Sequence, residues 1–308
     1  MAGNRLGTFV EEVEKQPVVL REFLRSPLPA AAKGAIFVGA GDSFSAAMAG
    51  FYVSNGTCIA VDPYTLVGAP EIASGVDVFF ISVSGRTASN LAAARKVRGL
   101  ARRATAITSD EGSELAGLVD RVVRLPMEYV PRMPGLLSYS LSLLAVLRIA
   151  AGEEKCDFSG AYRTARRDEG KVAWGEVSTY FIGNSLAHAA AMYAAAKTYE
   201  FLGARAHPQL LEEFSHLELF SLGQSDVVNI YSAFDPFGAS SRLSRALSRR
   251  GYKSNIVPKR GNSKIEELFH LVFVSQLSVL RRAGELRLSK PSFLAGDERL
   301  SVSDSMIY

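Results

Sequence analysis

Three hydroxyl side chains and one arginine follow an apolar run in the first half of the chain. Residues 78–81 read Val-Phe-Phe-Ile, which is typical of a strand buried on both faces of a parallel sheet. Residues 88–95 have the composition of a helix. The turn between them should offer backbone N–H groups and the positive end of a helix dipole to an anion. Its polar side chains are Ser82, Ser84, Arg86 and Thr87. They predict a phosphate-binding turn, with an ordinary capped turn as the alternative.

A second turn of the same kind lies upstream. Residues 35–38 are apolar, and the segment Gly39-Ala40-Gly41-Asp42-Ser43 leads from them into another helix start. In a doubly wound sheet, two such turns at neighbouring strand ends form one ligand crevice. The pair of turns therefore favours phosphate binding over a simple helix cap.

These turns resemble the sugar isomerase (SIS) domain family, whose members bind phosphosugars. The resemblance rests on Gly41-Asp42-Ser43, on the segment 82–87, and on three later segments, 104–108, 113–116 and 120–125, which occur in the same order. It implies that the substrate phosphate is held by Ser43, Ser82, Ser84 and Thr87. Further substrate contacts implied at these turns are Gly41, Asp42 and Arg86.

Length and composition indicate a globular protein with room for two domains. The chain has 308 residues, of which 48% are hydrophobic and 21% charged. The longest apolar run, 136–151, is too short for a membrane span and contains Arg148, so it predicts a buried helix. No secretory leader opens the sequence, which predicts a cytoplasmic protein without a membrane segment.

Cysteine, histidine and charge patterns argue against several other classes. Cys58 and Cys156 are far apart and have no metal-like spacing with the four histidines, so neither a disulfide framework nor a metal site is expected. No cofactor is expected either. The net charge of +4 is scattered. Its densest cluster, at residues 242–250, is spaced like one solvated helix face, so no nucleic-acid partner is expected.

Strands and helices alternate along the chain. A helical opening is predicted over 8–25, interrupted at Pro17. Five strands should follow, then a proline-rich linker, a helix over 136–151 and a polar connection over 152–168. The predicted strands are 35–38, 58–61, 78–82, 104–107 and 121–125. A second series repeats the order, which indicates an internal duplication of the fold. Its elements are strands at 179–183, 227–232 and 253–257 and helices at 186–202, 239–250 and 264–283.

The predicted fold class is therefore α/β. With the resemblance, it becomes two tandem three-layer SIS domains, each a mainly parallel five-stranded sheet flanked by helices. The predicted divisions are an N-terminal helical segment at 1–33, a phosphate-binding domain at 34–152, a connection at 153–173 and a second domain at 174–308.

The second half has no phosphate turn of its own. The corresponding segment reads Phe234-Asp235-Pro236-Phe237-Gly238. Its aspartate would repel phosphate, and its proline removes an N–H donor. The second domain is therefore expected to supply something other than phosphate binding.

Two segments of that second domain carry groups able to move protons. Lys197 and Glu200 are three residues apart, which places them on one face of a helix. His216 follows 16 positions after Glu200 (216 − 200). On composition alone, a weak surface ion pair and a structural or surface histidine are the favoured explanation of these residues.

The resemblance gives these residues roles. In the isomerase domain of glucosamine-6-phosphate synthase and in archaeal phosphoglucose/phosphomannose isomerases, a helical glutamate is followed by a histidine at this separation. By that resemblance, Glu200 is the base that moves a proton between C1 and C2. His216 opens the sugar ring, often from the partner subunit, which implies a homodimer with a shared active site. Lys197 and Glu213 match polar positions of the synthase-type domain.

The implied activity is aldose–ketose isomerisation of a hexose 6-phosphate through a cis-enediol, without a metal. One carboxylate can remove and return the proton, a nearby cation such as Lys197 can stabilise the enediolate, and histidine titrates in the range that ring opening needs. No lysine follows Lys290, so the Schiff-base lysine of synthase-type enzymes is missing. The alternatives are a glucosamine-6-phosphate deaminase and a non-catalytic phosphosugar-binding protein.

Overall fold

The chain forms two compact units, each with its own sheet. The computed structural model describes residues 5–152, 155–232, 235 and 237–308. The first-sheet unit consists of Val19–Lys155 with Gly296–Tyr308, and the second-sheet unit of Met1–Val18 with Cys156–Ala295. This division differs from the predicted one at both ends of the chain, because the start groups with the second sheet and the last helix with the first.

The N-terminal helix, α1, runs over Arg5–Phe23 and contains Pro17. The predicted interruption at this proline is wrong, since the helix continues through it. A proline inside a helix removes one backbone hydrogen bond. Val13 and Leu20, on either side of Pro17, are fully buried, and their burial offsets that cost.

The first-sheet unit contains a five-stranded parallel sheet in the order β2-β1-β3-β4-β5. Each strand matches a predicted one to within one or two residues at either end. The strands are β1 (Ile36–Val38), β2 (Ile59–Val61), β3 (Asp77–Ile81), β4 (Arg103–Thr108) and β5 (Arg121–Arg124). The helices are α2 (Asp42–Val53), α3 (Pro63–Gly68), α4 (Ala88–Val97), α5 (Glu114–Leu118) and α6 (Leu137–Ala151), with a 3-10 turn at Pro70–Ala73.

Both faces of this sheet are buried, as the continuous apolar strands predict. On one face, Ile36, Val78 and Phe80 pack with Leu66 and Leu91 of α3 and α4. On the other face, the rings of Phe37 and Phe79 stack with centroids 5.2 Å apart. The predicted helix at 136–151 is confirmed as α6, and its central residues are buried all round.

The second-sheet unit contains four described strands, all parallel, in the order β7-β6-β8-β9. They are β6 (Ser178–Gly183), β7 (Arg205–Gln209), β8 (Val227–Ser232) and β9 (Lys253–Pro258). The helices are α7 (Phe158–Asp168), α8 (Leu186–Lys197), α9 (Leu211–His216), α10 (Ala239–Ser248) and α11 (Lys264–Glu285). A π-helical turn at Thr198–Leu202 continues α8, and 3-10 turns occupy Glu169–Lys171, Glu218–Ser221 and Ser292–Ala295. The last helix, α12 (Asp297–Ile307), belongs to the first-sheet unit.

The prediction of five strands for the second sheet is wrong, and one strand and one helix of this unit were not predicted. The expected five-stranded sheet has four strands among the described residues, and one of them, β7, was not predicted. Its sequence, Arg-Ala-His-Pro-Gln, looks unlike a strand, but proline is tolerated at a sheet edge, where β7 lies. The polar connection predicted over 152–168 contains the helix α7. That helix is amphipathic and buries Phe158, Ala161 and Ala165 at helical spacing.

Among the described residues, no helix combines the length and the apolar character that crossing a membrane would require.

Candidate functional site

The predicted phosphate turn is a compact network of hydroxyl groups after β3. The Ser82 and Thr87 hydroxyl oxygens are 3.2 Å apart, and the Gly85 N–H donates to the Ser82 oxygen at 3.2 Å. The Arg86 N–H donates to the Ser84 oxygen, also at 3.2 Å. The serine oxygens thus accept hydrogen bonds from the turn, and the Ser84 hydroxyl proton remains for donation to an anion. The structure therefore brings Ser82, Ser84 and Thr87 together.

The end of β4 and the start of α5 hold this turn in place. The Thr108 and Ser109 hydroxyls both donate to the Val83 carbonyl, at 3.0 and 2.9 Å. Gly85 has φ +62°, and a β-carbon there would collide with the side chain of Ser113. The single glycine of the turn is therefore required both by its backbone angle and by its neighbour.

Helix α4 begins without a side-chain cap. Thr87, the residue before the helix, makes no capping bond with its side chain. Arg86 is the exposed charge of the turn, with 62% of its side chain exposed, and its guanidinium lies 3.4 Å from the Asp110 carboxylate. This combination of uncapped helix start, hydroxyls and arginine suits an anion.

The turn that carries Ser43 lies beside the phosphate turn, because β1 and β3 are paired with Val38 opposite Phe80. Gly41, the residue before α2, has φ 57° and ψ −128°. Because glycine has no side chain, α2 begins without a side-chain cap. Asp42 is oriented towards the start of α6, since its Oδ2 lies 2.5 Å from where a β-carbon of Gly135 would be. The Asp42 carboxylate thus packs against the backbone at Gly135. Contact of Asp42 with substrate remains a prediction.

The first turn of the second sheet repeats this geometry. Ser185, before α8, has φ 53° and ψ −131°, nearly the angles of Gly41 before α2. A β-carbon on Gly183 would lie 2.5 Å from the Ala187 carbonyl oxygen, and one on Gly39 would lie 2.6 Å from the Ser43 carbonyl oxygen. The two sheets therefore share the same strand–turn–helix geometry at these positions, with a serine in a conformation that favours glycine in the second.

The second turn of that sheet differs from its counterpart. In the segment predicted to lack phosphate binding, Phe234 and Pro236 lie outside the described residues. Asp235 accepts hydrogen bonds from the N–H groups of Ala239 and Ser240, at 2.6 and 2.9 Å. A carboxylate of the chain itself thus occupies the start of α10.

Lys197 and Glu200 form an ion pair, as their spacing predicts. The Lys197 ammonium donates a hydrogen bond to Oε2 of Glu200. The lysine side chain is fully buried, whereas 30% of the glutamate side chain is exposed. The Glu200 carboxylate is therefore accessible to a ligand, whereas the Lys197 ammonium is enclosed by the protein and contacts the carboxylate from the buried side.

Glu200 lies in the π-helical turn rather than in the regular helix predicted over 186–202. The Tyr199 hydroxyl donates to the Ala206 carbonyl of β7. Gly203 ends the turn in the left-handed region, with φ 62°. Phe201 packs edge-on against Phe9, with ring centroids 5.2 Å apart. Single π-helical turns are frequent at functional sites, and this one is fixed on several sides.

His216 and Glu213 lie on a different element, the exposed helix α9. The His216 ring nitrogen is 3.2 Å from a carboxylate oxygen of Glu212 on the same helix, and 70% of the histidine side chain is exposed. The Leu211 N–H, at the start of α9, donates to the Asn184 side chain at 3.2 Å. The structure thus joins Lys197 to Glu200 and leaves His216 and Glu213 on the surface of α9.

The residues that surround the Lys197 ammonium were not identified from the sequence. Tyr193 presents its ring to the ammonium at 5.2 Å from the centroid. Gln276 of α11 donates to the Tyr193 hydroxyl at 3.0 Å. The spacing of Tyr193, one helical turn before Lys197, could have indicated that the two side chains are in contact. Gln276 is remote in sequence, and no sequence pattern indicated that it lies beside Tyr193.

The first turn of α8 also carries a partly buried histidine, His188. Burial lowers the pKa of His188 to about 4. Within the described ranges, no group of three or more His, Cys, Asp or Glu side chains is arranged to hold a metal ion.

Comparison with known proteins establishes the fold. No family model and no curated protein matches the sequence. A glucosamine-6-phosphate deaminase from Thermotoga maritima is similar in structure, with TM-score 0.71 and 18% identity over 92% of this chain and 96% of that chain. A tagatose-6-phosphate ketose/aldose isomerase from Escherichia coli gives TM-score 0.70 and 17% identity over 90% and 92%.

A third similar structure is the C-terminal domain of a glucosamine-fructose-6-phosphate aminotransferase from Francisella tularensis. It gives TM-score 0.68 and 16% identity over 89% of this chain and 94% of that chain. The chain therefore has the α/β fold found in these sugar-phosphate enzymes. At such identities the likeness extends to the fold, and the reactions remain those of the other proteins.

Proposed function

We propose that this protein is a sugar-phosphate isomerase that interconverts the aldose and ketose forms of a hexose 6-phosphate. The observation that carries the proposal is the ion pair in the π-helical turn, where a buried Lys197 holds the partly exposed Glu200. The fold shared with sugar-phosphate enzymes and the hydroxyl turn after β3 support the same substrate class.

In the proposed reaction, Glu200 removes the proton from C2 of the open-chain aldose. The electron pair of that C–H bond forms the C1–C2 double bond of a cis-enediol while the C1=O1 π electrons move to O1, which takes a proton from water. Protonated Glu200, whose proton can exchange with solvent, then protonates C1 while the C2=O2 bond forms and the O2 proton passes to water, which gives the ketose. Lys197 fixes one carboxylate oxygen and favours the negative charge that develops beside it. No step needs a metal or an organic cofactor.

Phosphate binding is assigned to the hydroxyls of Ser43, Ser82, Ser84 and Thr87, with Gly41, Asp42 and Arg86 as further contacts. A phosphate held away from the reacting carbons orients the sugar and reduces the entropy lost on reaching the transition state. His216 is assigned to ring opening and Glu213 to a further contact with the sugar.

The surface around His216 supports a homodimer in which subunits share the site. Leu217 and Phe220, which follow the histidine, are 59% and 85% exposed. Neighbouring exposed apolar side chains can form an interaction patch, and phenylalanine is enriched in interfaces. In this proposal the partner subunit covers them, and His216 acts in its own site or in the partner's.

The test is proton NMR in deuterated water with glucose, mannose, fructose and glucosamine 6-phosphates. The proposal expects deuterium at C2 together with ketose formation, and loss of both in Glu200→Gln. Unchanged turnover in that variant would overturn the role of Glu200. Release of ammonia from glucosamine 6-phosphate alone would instead favour a deaminase, the reaction named for one similar structure. Saturable binding without exchange would identify a binding protein.

A further inference from the structure

The Lys197 ammonium has an aromatic partner as well as an ionic one. Its Nζ lies 5.2 Å from the centroid of the Tyr193 ring and donates to Glu200. Tyr193 and Lys197 are four residues apart on α8, so both side chains point to the same face of the helix. The Lys197 ammonium therefore has the Tyr193 ring on one side. It is also bound by the Glu200 carboxylate, which lies about one helical turn further along the chain.

The Tyr193 ring is itself fixed. Gln276 of α11 donates to the Tyr193 hydroxyl at 3.0 Å, and both side chains are completely buried. A buried hydroxyl with a well-placed donor leaves the ring little freedom to rotate or slide. A continuous chain of contacts thus runs from α11 through Tyr193 and Lys197 to Glu200.

Burial makes this arrangement necessary for the ammonium. A charge removed from water is costly unless charged or polarisable groups replace the water. The face of an aromatic ring provides such a replacement, and its effect is greatest where water is excluded. Lys197 is 0% exposed, so its position depends on its neighbours in the protein.

We propose that Tyr193 is a positioning residue for the reaction: its ring face holds the Lys197 ammonium on one oxygen of Glu200, and Gln276 holds the ring. This inference rests on the proposed function, in which the Glu200 carboxylate moves the substrate proton. Lys197 fixes Oε2, so the orientation of the whole carboxylate towards the sugar depends on where the ring places the ammonium. Tyr193 acts through Lys197 and contacts no reacting atom.

The first test compares Tyr193→Leu with Tyr193→Phe, using the hexose 6-phosphate that the wild type converts. Phenylalanine keeps the ring face and loses only the bond to Gln276, so kcat should stay within about threefold of wild type. Leucine removes the ring, and kcat should fall about 30-fold, equivalent to about 2 kcal/mol, with KM within about twofold. An equal loss in both variants would overturn the inference.

Tyr231→Leu is the matched control for a general loss of stability. Tyr231 lies on β8 in the same unit, is 1% exposed, and pairs its hydroxyl with Ser275 at 2.9 Å. Losing this ring creates a similar cavity but does not involve Lys197. The inference expects kcat to stay near wild type in Tyr231→Leu, and a 30-fold loss there as well would contradict it.

A second measurement does not depend on turnover. In protein labelled with ¹³C at the lysine ε position, the Lys197 ε-methylene should be shifted upfield by the Tyr193 ring in the wild type and in Tyr193→Phe. The shift should disappear in Tyr193→Leu. Its absence from the wild type would overturn the inference even if the leucine variant does not fold. If the shift is present but no sugar phosphate is converted, the proposed function fails while the contact stands.

Discussion

The side chain of Ser113 lies against Gly85, in the space that a β-carbon on residue 85 would occupy. Ser113 also caps α5, since its hydroxyl oxygen accepts a hydrogen bond from the Ala116 N–H at 3.4 Å. Gly85 belongs to the turn that carries Ser82 and Ser84. Because Gly85 has no side chain, the start of α5 can pack directly against this turn.

Gly85→Ala should destabilise the protein and weaken phosphate binding together. The new methyl group would collide with Ser113, and alanine is strained at φ +62°. We expect the free energy of unfolding to fall by about 2 to 3 kcal/mol. Urea denaturation measures this loss, and calorimetric titration with a hexose 6-phosphate measures the affinity.

Gly75→Ala is a suitable control for this prediction. Gly75 belongs to the same unit and has φ +71°, but a β-carbon there would meet nothing within 4 Å. Its replacement should cost about 1 kcal/mol, the backbone term alone, and should leave sugar-phosphate affinity unchanged. Equal losses in the two variants would show that the Ser113 contact has no effect.

Ser84→Ala should weaken phosphate binding with little effect on stability. The Ser84 oxygen already accepts the Arg86 N–H, so the hydroxyl proton is the group available to a phosphate. Hydrogen bonds to charged groups contribute about 1.5 to 3 kcal/mol, so the Kd for a hexose 6-phosphate should rise at least tenfold. Ser74→Ala is the control, because Ser74 is exposed and precedes the amino end of β3, whereas Ser84 follows the carboxyl end of the same strand. Equal Kd values for Ser84→Ala and wild type would place the phosphate elsewhere.

Local patterns predicted the first sheet well. The central strands β1 and β3 are short runs of largely apolar, fully buried residues, and burial on both faces leaves such runs little choice of structure. The same reasoning missed β7, where an edge position tolerates His207 and Pro208. It also missed α7, whose apolar residues Phe158, Ala161 and Ala165 are spaced among charges.

The candidate site was predictable only where its members are close in sequence. Ser82, Ser84 and Thr87 share one turn, and Lys197 and Glu200 share one helical face. The π-helical turn around Glu200 had no sequence signal, because it depends on tertiary contacts such as Phe201 with Phe9. The environment of Lys197 likewise depends on α11, and long-range packing of this kind is not written in local spacing.

Asp235→Ala should destabilise the second-sheet unit. The Asp235 carboxylate accepts hydrogen bonds from the Ala239 and Ser240 N–H groups, and helix caps of this kind contribute about 1 kcal/mol. Urea denaturation should show that loss, and Asp235→Asn, whose single side-chain oxygen can accept one of the two bonds, should recover part of it. Unchanged stability in the alanine variant would mean that water replaces the carboxylate at no cost.

A buried histidine in the second-sheet unit links stability to pH. His270 of α11 is fully buried, and its Nε2 lies 3.2 Å from Oδ2 of Asp168 at the end of α7. Arg260 and Lys171 also contact Asp168, at 3.0 and 3.3 Å. Burial lowers the pKa of His270 to about 4, although the Asp168 carboxylate works in the opposite direction. Burial would raise the pKa of Asp168, but the hydrogen bonds from Arg260 and Lys171 outweigh it and the pKa is lowered.

The fold should therefore lose stability as the pH falls from about 6.5 towards 4. In this window the unfolded chain takes up a proton at residue 270 and the folded chain does not, so the free energy of unfolding rises with pH. From pH 7 to pH 5 the His270 contribution to the free energy of unfolding is about 2 kcal/mol.

Urea denaturation of His270→Gln should show a smaller decrease in the free energy of unfolding than wild type over this pH range. Part of the pH dependence should remain, because the pKa of His188 is also lowered to about 4. If His270→Gln kept the wild-type pH dependence, His270 would not be the group that titrates.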